Sequence, residues 1–128
     1  MRPSSTKSII FKTRDELLRV KIHQIAYFEA DKSYTHLHLT SGQQFVFATN
    51  LGTIEKVLQN QLAEFSPLFI RIGKSLIVNF LYILHINLPH QKLKLGPFGE
   101  KVFELDVSKE ALKTLKENFE QRITEKQP

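Results

Sequence analysis

The chain has 128 residues, a length that suits one domain because domains cluster at about 100–150 residues. Leu, Ile, Val and Phe make up 44 of the 128 residues, well above the ~20% below which chains stay disordered. Cysteine is absent, which excludes disulfides, thiolate nucleophiles and cysteine-bearing metal sites. The net charge is +5 and the pI is about 9.5, values typical of a nucleic-acid-binding domain only if the charge is clustered.

No apolar run reaches the ~18 residues that a membrane span requires. Residues 1–8 are polar, contain Pro3, and lead into no signal-peptide core. We therefore predict a cytoplasmic protein without a membrane partner. Residues 1–8 are expected to form a flexible tail or linker, and residues 9–128 the domain.

Short apolar runs follow one another closely from Ile9 onward and predict strands. Clean alternation, as in Thr35–Leu39 and in residues 92–95, indicates antiparallel sheet with one buried face. Ser41-Gly42 and the segment Gly96-Pro97-Phe98-Gly99 predict hairpin turns. The predicted strands cover residues 9–11, 17–22, 25–29, 35–39, 45–48, 69–72, 76–78, 83–86, 93–95 and 102–105.

Two stretches have helical spacing instead. Residues 50–64 place five apolar side chains on one stripe that ends before Pro67. Residues 108–123 repeat apolar positions at intervals of three and four, with Ser108 as the predicted N-cap. The predicted fold class is mainly β, with several small antiparallel sheets, one inserted helix and a C-terminal helix.

The positive charge is clustered in the middle of the chain. Residues 65–99 contain no carboxylate, yet they include Arg71, Lys74, Lys92 and Lys94. Such a segment fits a polyanion-binding surface. It also fits a solvated patch without a partner, and charge alone does not separate the two interpretations.

Signals for catalysis are weak, and we predict neither an enzyme nor a cofactor. Gly73-Lys74-Ser75 resembles the end of a phosphate-binding P-loop, but Leu68 occupies the position of the required earlier glycine. His36 and His38 share a strand face and could ligate a metal, but histidines are common on exposed strand faces and no third ligand is close in sequence. No carboxylate is paired with a nucleophile at a recognisable spacing.

Three segments are better suited to binding. Residues 29–34 join two predicted strands and place Lys32, Ser33 and Tyr34 on a loop tip, where an ordinary turn is the simpler interpretation. Gly73, Lys74 and Ser75 lie between two predicted strands, and Lys74 and Ser75 can donate to phosphate.

The third segment is the start of the last helix, where Lys109 opposes the helix dipole unless an anion is bound there. The adjacent Glu110 already complements the dipole. We interpret Asn79, at a strand end, as a residue that bonds backbone.

These segments together resemble the LytTR family, the DNA-binding output domains of LytR/AlgR-type bacterial response regulators. The similarity lies in Glu29-Ala30-Asp31 with Tyr34, in a middle motif of Phe69, Arg71, Ser75, Val78 and Asn79, and in Ser108-Lys109. It spans residues 9–117.

The resemblance implies several small antiparallel sheets whose loops, rather than a recognition helix, enter successive major grooves. Arg71, Asn79 and Ser108 are expected to support the site. The implied DNA-binding residues are Lys32, Ser33, Tyr34, Gly73, Lys74, Ser75 and Lys109.

The chain departs from the family pattern at three of these positions. Gly73 stands where the family usually has His, and Lys74 and Lys109 stand where Arg is common. Lysine copies the bidentate contact of arginine with guanine poorly. Base specificity is therefore expected to be weaker or different, whereas phosphate binding is retained.

The leading hypothesis is a transcriptional regulator that binds double-stranded DNA sequence-specifically, as a weak or DNA-assisted homodimer on direct repeats. Because only residues 1–8 precede the first predicted strand, no receiver domain is expected in this chain. The alternative is a basic, β-rich protein-interaction module that docks an acidic partner or membrane surface. Single-stranded nucleic acid ranks lower, since Tyr34 and Phe98 are the only obvious stacking candidates.

Overall fold

The computed structural model describes residues 7–62 and 68–126, and it contains ten strands and two α-helices in that range. Each predicted strand has a counterpart in the structure. The strands are β1 (Ser8–Lys12), β2 (Leu17–Lys21), β3 (Ile25–Asp31), β4 (Tyr34–Leu39), β5 (Gln44–Phe47), β6 (Phe69–Ile72), β7 (Leu76–Asn79), β8 (Ile83–Asn87), β9 (Lys92–Phe98) and β10 (Lys101–Asp106). The helices are α1 (Leu51–Gln61) and α2 (Lys109–Lys126).

The strands form three small antiparallel sheets, as the sequence pattern predicted. One sheet contains β1 and β2, a second has the order β5-β4-β3-β7-β6, and a third has the order β10-β9-β8. The described residues divide into two compact units, the first ending at Leu81 and the second beginning at Tyr82. The first unit therefore holds β1–β7 and α1, and the second holds β8–β10 and α2.

The first strand begins within the segment predicted to be a tail. Ser8 pairs with Lys21 across the β1–β2 ladder, and the carbonyl of Lys7 accepts a hydrogen bond from Ile22 at 3.0 Å. Residues 1–6 of the predicted tail lie outside the described residues.

The core of the first unit lies between α1 and one face of the five-stranded sheet. On the sheet side, Phe28, Leu37 and Ile77 are almost completely buried, and on the helix side Ile54 and Leu58 are equally so. Strand alternation explains this arrangement, because every second side chain of β4 points into the core and the next points away. Burial of these apolar faces supplies the main driving force for folding of this unit.

The second helix starts after the predicted cap Ser108, and the first starts after Asn50, the first residue of its predicted span. The Asn50 side chain accepts a hydrogen bond from the Thr53 backbone N–H at 2.9 Å. The Ser108 hydroxyl accepts one from the Ala111 backbone N–H at 3.2 Å. The first helix ends at Gln61, and residues 63–64 of its predicted span lie outside the described residues.

The turn predicted over residues 96–99 is wrong in its position. Strand β9 continues to Phe98, and the chain reverses at Gly99 and Glu100. Gly96 and Pro97 lie at a register shift, since Leu95 pairs with Phe103 and Phe98 with Lys101. Proline donates no ladder hydrogen bond, so a bulge is where a central strand tolerates it.

Asn79 fastens the end of β7 to the start of β3. It is completely buried, its Nδ2 donates to the carbonyl of Ile25 at 3.0 Å, and its Oδ1 accepts from the backbone N–H of Leu81 at 3.0 Å. A buried amide that satisfies two backbone groups in this way specifies how the two strands meet.

Replacing Asn79 by alanine should lower the free energy of unfolding by roughly 1–3 kcal/mol, because the Ile25 carbonyl would remain buried without a donor. Urea denaturation monitored by circular dichroism measures the change. The control is Asn60→Ala on the exposed side of α1, which should change stability by less than about 0.5 kcal/mol. Equal stabilities of the two variants would contradict the structural role of Asn79.

Candidate nucleic-acid interface

The turn between β3 and β4 is shorter than the predicted loop. The ladder continues to the pair Asp31–Tyr34, so only Lys32 and Ser33 form the tip, and both are exposed. Lys32 takes the left-handed conformation, with φ of 59°. The placement of Tyr34 on a loop tip is therefore corrected: Tyr34 is the first residue of β4, and its side chain is 50% exposed.

A row of polar and aromatic side chains occupies the sheet face behind this tip. The amide of Gln44 donates to His36 Nδ1 at 2.6 Å, which leaves Nε2 to donate to Asp31 at 3.2 Å. His38 stacks on Tyr27 with ring centroids 4.2 Å apart. Its Nε2 lies 3.5 Å from a carboxylate oxygen of Glu29. These contacts stabilise the β3–β4 hairpin up to its exposed end.

The two histidines considered as metal ligands are engaged in these contacts. Within residues 7–62 and 68–126, no three side chains of His, Asp or Glu converge in an arrangement suited to a metal ion. His36 and His38 do share one strand face, as predicted, and their rings lie 6.3 Å apart.

Burial shifts the protonation of this row. Burial lowers the pKa of His38 below its ordinary value of 6.5, with the nearby Glu29 carboxylate opposing the shift and His36 reinforcing it. Burial also raises the pKa of Tyr27 to about 12. At neutral pH the row therefore presents a neutral His38 stacked on a protonated Tyr27.

The turn between β6 and β7 consists of Gly73, Lys74 and Ser75, and all three residues are exposed. Gly73 has a φ of 59°, a conformation that glycine adopts without a steric penalty. Residues with a side chain adopt this left-handed conformation less readily. The departure at Gly73 is thus consistent with the shape of the turn.

The guanidinium of Arg71 holds this turn from behind. Its Nε donates to the carbonyl of Gly73 at 3.2 Å, and one terminal nitrogen donates to the carbonyl of Lys74 at 3.3 Å. The other terminal nitrogen donates to the carboxylate of Glu55 on α1 at 2.7 Å. Sequence reasoning missed Glu55, since a pair separated by 16 positions leaves no signal in a single sequence.

The two turns lie at the same end of the five-stranded sheet. Strands β3 and β7 are antiparallel neighbours, so the end of β3 lies beside the start of β7. The backbone N–H of Ala30 donates to the carbonyl of Ser75 at 2.8 Å. This pairing brings Lys32, Ser33 and Tyr34 together with Gly73, Lys74 and Ser75.

The two lysines at this edge are not among the cations that pair with described carboxylates. Arg71 pairs with Glu55, and Lys92 pairs with Asp106, which also raises the pKa of Lys92. No described carboxylate pairs with Lys32 or Lys74, whose ammonium groups remain available to an anion.

Lys109 lies in the second unit, as the first residue of α2. It is exposed and follows the capping residue Ser108. The carbonyl of Ser108 accepts the first helical hydrogen bond, from Leu112 at 3.0 Å. The last predicted site residue thus occupies the end of a helix, where free backbone N–H groups favour anions.

Comparison with known proteins decides the family. The model of the LytTr DNA-binding domain matches residues 15–120. The chain belongs to this family. The LytTR domain match begins six residues later and ends three residues later than the predicted similarity over residues 9–117.

A solved structure shares the fold. It is described as the LytTr DNA-binding domain of a putative methyl-accepting/DNA response regulator from Bacillus cereus. The two chains are 21% identical with a TM-score of 0.58, over 88% of this chain and 95% of the other. No curated protein matches this chain. Among the described residues, no helix has the length and apolarity to cross a membrane.

The lowered pKa of His38 predicts that stability falls in acid. The unfolded chain binds more protons than the folded chain once the pH drops below about 6.5, so the free energy of unfolding should decrease from there toward the folded pKa. His38→Phe keeps a ring against Tyr27 but cannot titrate, and its stability should therefore depend less on pH. Urea titrations at pH 7.5 and 5.5 compare the two proteins, and identical pH dependence would contradict the assignment.

Proposed function

We propose that this LytTR domain is a transcriptional regulator that binds double-stranded DNA sequence-specifically through its exposed turns. The observation that carries the proposal is the hydrogen-bonded junction of two turns at one sheet edge, each with an exposed lysine that no described carboxylate neutralises. Uncompensated positive charge on two adjacent exposed turns attracts a polyanion to this edge.

The residues divide into two chemical roles in this proposal. Lys74 and Lys109 contact phosphates, which positions the protein on the duplex. Lys32, Ser33 and Tyr34 contact base edges in a major groove, because the β3–β4 tip carries donors of different shapes. Gly73 offers no side chain, so Lys74 has a second role in this proposal: besides its phosphate contact, it is the side chain of this turn that reaches a base edge.

The functional unit is a pair of copies on direct repeats, assembled weakly or with the assistance of DNA. Duplex DNA as the ligand makes the bacterial cytoplasm the site of action. The rival assignment, a basic module that docks an acidic protein or membrane surface, makes the opposite prediction about duplex preference and is decided by the same experiments.

Lys74→Ala should weaken duplex binding and flatten its salt dependence. Each phosphate contact contributes about 0.9 to the slope of log affinity against log salt concentration, so the slope should fall by about one. Fluorescence anisotropy with a labelled duplex between 50 and 300 mM salt measures it. Lys12→Ala, at the end of β1, is the matched control and should keep the wild-type slope.

Selection of bound duplexes from a random pool should enrich one short motif in two directly repeated copies. The ratio of the affinity for the selected duplex to the affinity for a random duplex then measures discrimination between DNA sequences. Equal affinity for selected duplex, random duplex and heparin would overturn sequence-specific regulation and favour the interaction module.

A further inference from the structure

Hydrogen bonds of Arg71 connect the β6–β7 turn to α1. We propose that Glu55 and Arg71 form a brace that holds the Gly73–Lys74 turn in the shape that discriminates between DNA sequences. Glu55 and Arg71 are thus positioning residues that act through Lys74. This inference rests on the proposed function, because it assigns a role in DNA recognition to residues that need not touch DNA.

Arg71 connects three acceptors that belong to two separate elements. Its guanidinium donates to the carbonyls of Gly73 and Lys74 in the turn and to the Glu55 carboxylate on the helix. A planar guanidinium presents five N–H donors in a fixed fork, whereas an ammonium is a point donor on a flexible stem. Arginine alone among side chains can serve all three acceptors at once in this plane.

Glu55 supplies the fixed end of the brace. Its helix is anchored on the core by Leu51, Ile54 and Leu58, which are buried, and by the Asn50 cap. The Glu55 side chain is 35% exposed and that of Arg71 is 34% exposed, so the pair is partly shielded from solvent. A turn that contains a glycine is intrinsically flexible. The brace restricts this flexibility, because it attaches the turn to a helix that is packed on the core.

The turn is held on its other side by β3. The Ala30 N–H donates to the Ser75 carbonyl at 2.8 Å, and β3 continues from there to the tip with Lys32. The hydrogen bond to β3 positions the turn relative to Lys32, and the brace attaches it to the helix. Loss of the helix attachment leaves the turn held by the β6–β7 ladder and by β3.

The pairing also determines which cation of the hairpin meets DNA. Because the Glu55 carboxylate neutralises Arg71, the uncompensated charge of the hairpin is the Lys74 ammonium at the tip. Attraction to any duplex depends on that charge, whereas discrimination between sequences depends on where the turn holds it. Breaking the brace should therefore reduce specificity and spare non-specific binding.

Two variants with unchanged net charge test the brace. Arg71→Lys keeps a cation beside Glu55 but loses the fork. The double variant Glu55→Arg/Arg71→Glu restores an ion pair, but a carboxylate at position 71 cannot donate to the turn carbonyls. Arg19→Lys on β2, where Arg19 is exposed, is the matched control.

The first measurement uses the free protein. Backbone ¹⁵N relaxation should show the order parameters of Gly73 and Lys74 falling from about 0.85 toward about 0.6 in both brace variants. The control should match the wild type. Unfolding titrations and the amide spectrum of the other residues verify that each variant is folded. Glu55→Gln is a third variant that weakens the brace less, because the glutamine oxygen still accepts a hydrogen bond from Arg71.

The second measurement compares the selected duplex with a random duplex. In both brace variants the ratio of the two affinities should fall roughly three- to tenfold, the typical cost of losing a preordered contact, while random-duplex affinity stays within about twofold. Unchanged order parameters, or an unchanged ratio, would overturn the brace. A wild-type protein with no duplex preference would instead overturn the proposed function, and the relaxation data would still decide whether the brace orders the turn.

Discussion

The antiparallel pairing of β3 with β7 is the constraint on which the site depends. These strands are neighbours in the middle of the five-stranded sheet, although nearly fifty residues separate them in the chain. Their pairing places two hairpin turns side by side, and the buried Asn79 amide locks the far end of the same strand pair. A one-residue slip would reverse every side chain of β7 and remove Ile77 from the core cluster that it shares with α1, so the core itself protects the register of the binding edge.

The positions and ion pairs of the charged side chains matter more for this surface than the net charge of the protein. The carboxylate-free segment over residues 65–99 suggests a continuous basic surface. In the folded protein, carboxylates from outside that segment neutralise part of it, since Glu55 pairs with Arg71 and Asp106 with Lys92. Lys74 keeps an ammonium that no described carboxylate pairs with. Attraction to phosphates is thus retained at this turn, where geometry can convert it into recognition.

Strand and helix positions were predictable because they depend on local patterns. Alternation of apolar and polar residues in 35–39 predicts a strand with one buried face, and the structure shows this pattern in β4. Ser108 predicts a helix start, because its side-chain oxygen accepts from a backbone donor that the helix itself leaves unpaired. The predicted turn at Gly96–Gly99 was wrong in its position for a local reason too. Glycine and proline occur at a bulge in a strand such as β9 as readily as at a reversal of the chain.

The sequence by itself determined the mainly antiparallel fold class, the two helices and the three segments that carry the family resemblance, because spacing and turn chemistry act over a few neighbouring residues. Only the tertiary structure decided that two of those segments share one edge and that Tyr34 starts a strand. It also decided that Arg71 reaches Glu55 across 16 positions. Such contacts depend on which strands become neighbours and how a helix lies on a sheet, and these outcomes follow from burial of the whole core rather than from any short stretch of residues.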